Sequence, residues 1–256
     1  MAEFEDKPVV RWSEDASPAD WIVDRLHRSP QDAPSDVGSF VPDGFSAYAR
    51  ILHCAWRGEA WTGEKIRWAE LARGVGVALS PRTRFEDLQR GEAMQDVEAP
   101  LEGTLPCDEL QALVEVLGAF TGTPRACWFG IWEGYGWMQG PPAIADLVAH
   151  EGGRAHEVDN PPNTPPPHRG RAAQVRLPDR SLFLYEGPIE AAAAFCRPPT
   201  WQSPNLWWPD DLAWCVASEV DFRSTYLGGG HQLIDRVLRD PRLEALPIGA
   251  SEQVTD

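Results

Sequence analysis

Glu219 and Asp221 are the two side chains in this sequence best spaced to act together. They close the run "LAWCVASEVDF", which reads as a strand. Two positions apart on a strand, they project from one face with their Cα atoms roughly 7 Å apart. A carboxylate pair at that spacing suits a metal ion or an acid/base pair of the glycosidase kind, and nearby tryptophans would suit a sugar. His231, at the start of "HQLIDRVLRDP", is the histidine that could join them as a base. The same strand also reads structurally. Leu212, Trp214, Val216, Val220 and Phe222 share its other face, as a core-facing edge would.

Aromatic side chains supply a second kind of chemistry. In "CWFGIWEGYGW", Trp128, Gly130 and Trp132 alternate onto one face. The gap over Gly130 would leave a slot between two indoles for a flat or cationic group, unless a neighbouring core side chain fills it. In "NLWWPDDLAW", Trp207 and Trp208 precede Asp210 and Asp211, with Pro209-Asp210-Asp211 reading as a turn. "YLGGGHQLID" places glycines ahead of a helix, but no Walker lysine follows, so a permissive turn is the expectation. "HEGGRAHE" departs from HExxH, because Gly152-Gly153 breaks the helix that would align its histidines. His150, His156 and His168 would meet only if the proline-rich stretch folded back. No metal site, nucleophile elbow or cofactor motif is expected.

These residues must be positioned by a mixture of strands and helices. Residues 1–37 form an N-terminal arm with one short helix. Ser17 and Pro18 open it, and Trp21, Ile22 and Leu26 give it an apolar stripe. The body spans 38–250. Phe45–Cys54 reads as a strand, "TGEKIRWAELARGVG" as a helix ending at Gly74, and 75–103 as loop with a short helix at Phe85–Gln89. In "LPCDELQALVEVLGAF", Leu110, Leu113, Val114 and Leu117 fall on one helical face. A short helix is expected at Ala143–His150. Residues 157–172, with five prolines in seven positions, read as a long loop or linker within the body. "AQVRLPDRSLFLYEGP" reads as a hairpin, "IEAAAAF" as a short helix, and "STYLGG" as a strand. The sum is an α+β single domain with a mostly antiparallel sheet.

Bulk properties narrow the partner. The 256 residues carry a formal charge of −16 and no Lys/Arg cluster, which speaks against nucleic acid and anionic membranes. No stretch approaches the roughly 20 apolar residues of a membrane span, and the acidic N-terminus lacks a secretory core, so a cytoplasmic protein is expected. The five cysteines are scattered, without CxxC, mostly in apolar runs, and read as small buried hydrophobes.

"VGSFVPDGFSAYARILH", "CWFGIWEGYGW" and "LWWPDDLAWCVASEVDFRSTYLGG" together resemble a family of proteins from high-GC actinobacteria, over most of residues 37–246. The resemblance implies a cytoplasmic bacterial protein and brings no activity, cofactor or catalytic residue with it. The general layout is also loosely similar to SMI1/KNR4-type immunity and binding domains. The leading expectation is a non-enzymatic binding module. Trp128, Trp132, Trp207 and Trp208 would supply contact area, and Asp210, Asp211, Glu219 and Asp221 would meet cationic groups of a protein or small molecule. The alternative is a hydrolase using Glu219, Asp221 and His231.

Overall fold

The strands read as almost unbroken apolar runs because the sheet they form is buried on both faces. The computed structural model describes residues 10–27, 35–90, 94, 96–139, 173–178, 180–196 and 201–254. The expected helix at 143–150, the stretch 157–172 and the histidines 150, 156 and 168 lie outside them.

Nine of the described strands form one sheet, and all its pairs are antiparallel. They are β1 (Arg11–Trp12), β2 (Ala47–Leu52), β6 (Cys127–Trp132), β7 (Gln174–Arg176), β8 (Ser181–Gly187), β9 (Leu206–Pro209), β10 (Trp214–Ser218), β11 (Ser224–Gly229) and β12 (Ala245–Ile248). Their order is β1-β8-β6-β9-β10-β11-β2-β12, with β7 also on β8. Between β2 and β6 in sequence, β3 (Ala55–Arg57), β4 (Glu64–Ile66) and β5 (Val97–Glu98) make a small second sheet in the order β4-β3-β5. This is the α+β fold with an antiparallel sheet that the sequence implies.

Each face of the large sheet has its own core. On one, Phe129, Tyr185, Trp207, Trp214 and Leu227 meet two helices, α4 (Cys107–Gly118) and α5 (His231–Leu238). The α4 stripe of Leu110, Leu113, Val114 and Leu117 is buried there as its spacing requires. On the other face, Leu184, Leu206, Trp208, Cys215 and Tyr226 are covered by the N-terminal arm through Ile22 of α1 (Asp20–Arg25), Leu26 and Val37, joined by Val41 just beyond it. A third cluster joins the small sheet to α2 (Trp68–Val75) and α3 (Phe85–Leu88). Gly76, with φ of +71°, caps α2, so the helix runs through Gly74 and ends at Val75, one residue later than its sequence suggests; it begins only at Trp68, because Glu64–Ile66 of the expected run form β4 instead.

Candidate functional site

Glu219 and Asp221 are not strand residues. β10 ends at Ser218, and Glu219 opens the turn into β11, closed by Phe222 N–H donating to the Glu219 carbonyl at 3.0 Å. Val220 and Phe222 are therefore not strand positions, and Leu212, with φ of +56°, stands exposed rather than on the core face. Glu219 is 6% exposed and ion-paired to Arg180, while its Oε1 also accepts from the Val220 N–H at 2.8 Å. Asp221 is exposed. His231 lies at the opposite end of the β10–β11 hairpin, where Trp214 pairs with Gly229, and Glu219 follows the end where Ser218 pairs with Thr225. A five-residue strand is about 16 Å long, so the three proposed hydrolase residues do not converge. His231 instead lines a cavity of about 340 Å³ with Phe120, Ala213, Gly230, Gln232 and Leu233.

The expected tryptophan surface also divides. Trp207 and Trp208 are fully buried on opposite faces of the sheet, because adjacent strand residues alternate, so neither can contact a partner in this fold. Trp128 and Trp132 are half-buried on the arm side. The slot over Gly130 is filled: a Cβ there would come within 2.8 Å of Leu182 Cδ1. Trp128 Nε1 donates to Asp210 Oδ1 at 3.3 Å. Asp211 accepts from Thr121 Oγ1 at 2.8 Å and from the Gly122 N–H at 2.6 Å, holding the turn after α4. Trp128, Asp210 and Asp211 thus sit at one end of the central strands, and Trp132, Glu219 and Asp221 at the other.

A more coherent site lies at the N-terminal end of α4. The β3–β4 turn carries Trp61, half-buried, with its backbone in the left-handed region at φ +71°. The turn is fixed by the Thr62 and Gly63 N–H groups donating to the Glu59 carbonyl, and by the Ala60 N–H donating to Glu98 Oε2 at 3.2 Å. Trp201 comes from the other half of the chain, is 38% exposed and is also left-handed at φ +43°. The two rings lie 5.2 Å apart at 31°, with Trp56 6.4 Å beyond Trp61. The left-handed region is costly for a bulky side chain, and two such residues meet here.

Hydrogen bonds to the stretch before α4 hold the Trp201 segment. Gln202 Nε2 donates to the Gly103 carbonyl at 2.8 Å. The Ser203 N–H donates to Thr104 Oγ1, and the Leu105 N–H to Ser203 Oγ, both at 2.9 Å. Cys107, the first residue of α4, is disulfide-bonded to Cys196, with Cα atoms 5.6 Å apart. Two of the five cysteines are thus not the free, buried hydrophobes their scatter suggests; Cys54, Cys127 and Cys215 are.

Beside the ring pair, Lys65 sits 5.5 Å over the Trp56 ring and bridges to Asp108 and, at 2.9 Å, to Glu109. Burial opposes the Lys65 charge, but Glu109 and Asp108 outweigh it and raise the ammonium above its ordinary range. Burial likewise raises the Glu109 carboxyl against the pull of Lys65. An indole face flanked by carboxylates therefore already holds one ammonium here. Among the described residues, no cluster of three or more His, Cys, Asp or Glu could hold a metal ion.

Neither Trp61 nor Trp201 stands in an apolar run of the kind that holds Trp128, Trp132, Trp207 and Trp208. The available signal was the opposite one. "RGEAWTGE" and "PPTWQSP" set a tryptophan among turn-forming residues rather than in an alternating or helical apolar pattern. No protein-family model, curated protein or solved structure matches this chain.

Proposed function

We propose that the protein is a non-enzymatic binding module, and that it engages a cationic group of its partner through the Trp61–Trp201 pair. One observation carries this reading: two tryptophans from distant parts of the chain, both in left-handed backbone, pack against each other with their rings tilted by 31° and Trp201 exposed. Strained backbone persists where the surrounding structure holds it, and such sites cluster where ligands are clamped. Exposed indoles are strong interface anchors. The surrounding acids Glu59, Glu98 and Asp108 are exposed, and the net charge of −16 draws cations toward them. Lys65 over Trp56 is an internal example of the contact a ligand ammonium or guanidinium would make. Basic proteins fit this chemistry best.

A cytoplasmic setting remains our reading of the composition. Among the described residues, no helix is long and apolar enough to cross a membrane. A short peptide rich in lysine and arginine tests the binding reading. It should quench or shift tryptophan emission in a salt-sensitive way, and Trp201→Ala or Trp61→Ala should weaken binding about tenfold or more. Asp221→Asn should leave binding unchanged. Binding unaffected by both tryptophan substitutions would place the contact surface elsewhere.

A further inference from the structure

We propose that the Cys107–Cys196 disulfide is a redox latch on the tryptophan pair, so that the oxidised chain binds its cationic partner and the reduced chain releases it. The inference rests on the binding reading above and adds its regulation.

The latch sits where the pair is built. Cys196 follows Phe195, whose carbonyl accepts from the Gln202 N–H at 3.1 Å. Cys107 follows the stretch Gly103–Leu105, whose groups bond Gln202 and Ser203. The segment carrying Trp201 is therefore clamped between the two strands of chain that the disulfide joins. Those strands are 89 residues apart in sequence, so breaking the bond removes the covalent constraint on their separation. What remains at Trp201 is a left-handed tryptophan held by hydrogen bonds, one of them a 3.3 Å contact from Thr104 Oγ1 to the Trp201 carbonyl. Release lets that backbone relax toward the ordinary regions and withdraws the ring from Trp61.

The chemistry selects this pair of cysteines over the other three. Cys54, Cys127 and Cys215 are buried, and burial pushes each thiol up, Cys127 to about 12, which makes them poor thiolates. Cys107 is partly exposed, whereas Cys196 is buried, so Cys107 is the partner nearer to a dissolved thiol. A thiolate of a dithiol reductant attacks Cys107 Sγ. The S–S bond breaks, and Cys196 leaves as a thiolate and takes a proton. The second thiol of the reductant then displaces Cys107 as a thiol, and the reductant ends as a disulfide. Two electrons and two protons pass to the protein. Disulfides in reducing compartments are characteristically transient and sensing, which reconciles this one with a cytoplasmic protein.

The test uses the full chain in three forms: oxidised, reduced by dithiothreitol, and carrying Cys107→Ser with Cys196→Ser. Unfolded without reductant, the oxidised protein should show three reactive thiols, and after reduction five. Five before reduction would overturn the proposal. Reduction should weaken binding of the lysine/arginine peptide about tenfold. It should also red-shift tryptophan emission and raise its caesium quenching, with far-UV circular dichroism retained. The double variant should match the reduced protein. Should it fail to fold, the reduced wild-type chain carries the comparison. Equal affinity and equal quenching in both redox states would overturn the latch while leaving the binding site standing. If the peptide binds neither form, the binding reading fails. The latch is then judged by the quenching difference, which must vanish in Trp201→Phe if it reports this ring.

Discussion

His53 is fully buried just after β2, and its two ring nitrogens face different kinds of group. Nδ1 lies 2.8 Å from the Leu101 carbonyl, which can only accept, so Nδ1 carries the proton. Nε2 then accepts from Thr225 Oγ1 at 2.8 Å, and Thr225 Oγ1 lies 2.7 Å from Ser218 Oγ. Burial holds this imidazole at about 4, far below its ordinary 6.5. The folded value lies below the unfolded one, so the neutral ring contributes stability that is complete above about pH 6.5. That contribution is lost as the pH falls toward 4, by on the order of 3 kcal/mol over the whole window. Urea denaturation at pH 7 and pH 5 should show a lower midpoint at pH 5, and proton NMR should find the His53 ring neutral at both. His27 has the opposite sign. Its hydrogen bond to Asp36 raises it against a smaller effect of burial, so its contribution is present at low pH and lost as the pH rises through that raised value. A single NMR titration should place the two rings on opposite sides of 6.5. Glu219 belongs at this scale too. Glu219→Ala removes one member of a buried ion pair and should cost about 3 kcal/mol or more in stability without weakening peptide binding. A carboxylate serving a ligand would show the reverse.

At the scale of elements, α2 shows how a helix is fixed from outside itself. Arg67, its N-cap residue, provides no side-chain cap. Glu244, just ahead of β12, instead accepts from the Trp68 and Ala69 N–H groups, both at 2.7 Å. One carboxylate thus caps the helix and docks it on the large sheet. Glu244→Ala should cost about 1–2 kcal/mol, with faster hydrogen exchange concentrated in the first turn of α2. No local pattern announces such a cap, since its donor and acceptor are about 175 positions apart. Elements whose burial follows one period are legible, α4 and α5 from their stripes, and the β7–β8 hairpin is legible from its turn at Pro178-Asp179-Arg180. β3, β4, β5 and β9 are not, because two to four residues cannot display a period. β10 ends sooner than its sequence suggests, because Glu219–Phe222 continues its alternation while the backbone is already turning. The same limit hid the candidate site. Trp61 and Trp201 meet only through tertiary structure, and the tryptophans that looked chemical from their density, Trp207 and Trp208, are the ones the sheet consumes.

For the whole molecule, the two-faced sheet decides what the N-terminal arm is. An arm with one short amphipathic helix could dock or wave freely, and here it supplies much of the second core. Ile22 is fully buried, Trp21 meets Trp208 edge-on at 6.4 Å, and β1 pairs with β8. The Ser13 N–H also donates to the Leu184 carbonyl at 2.7 Å. Strands apolar on both faces have no polar side to turn to water. Removing the arm would uncover Leu184, Leu206, Trp208 and Ala217 together. A chain lacking residues 1–27 should bind a hydrophobic dye, lose its sharp unfolding transition and aggregate. Ile22→Ala in the full chain should remain folded but less stable by about 2–4 kcal/mol. The pair separates two causes. If the arm were only an appendage, truncation would leave the unfolding midpoint where it was and Ile22→Ala would be silent. If the arm is one layer of the fold, both changes lower the midpoint, and truncation does so most. The ring pair at Trp61 and Trp201 lies among the elements of the opposite core, so Ile22→Ala should leave peptide affinity unchanged while stability falls.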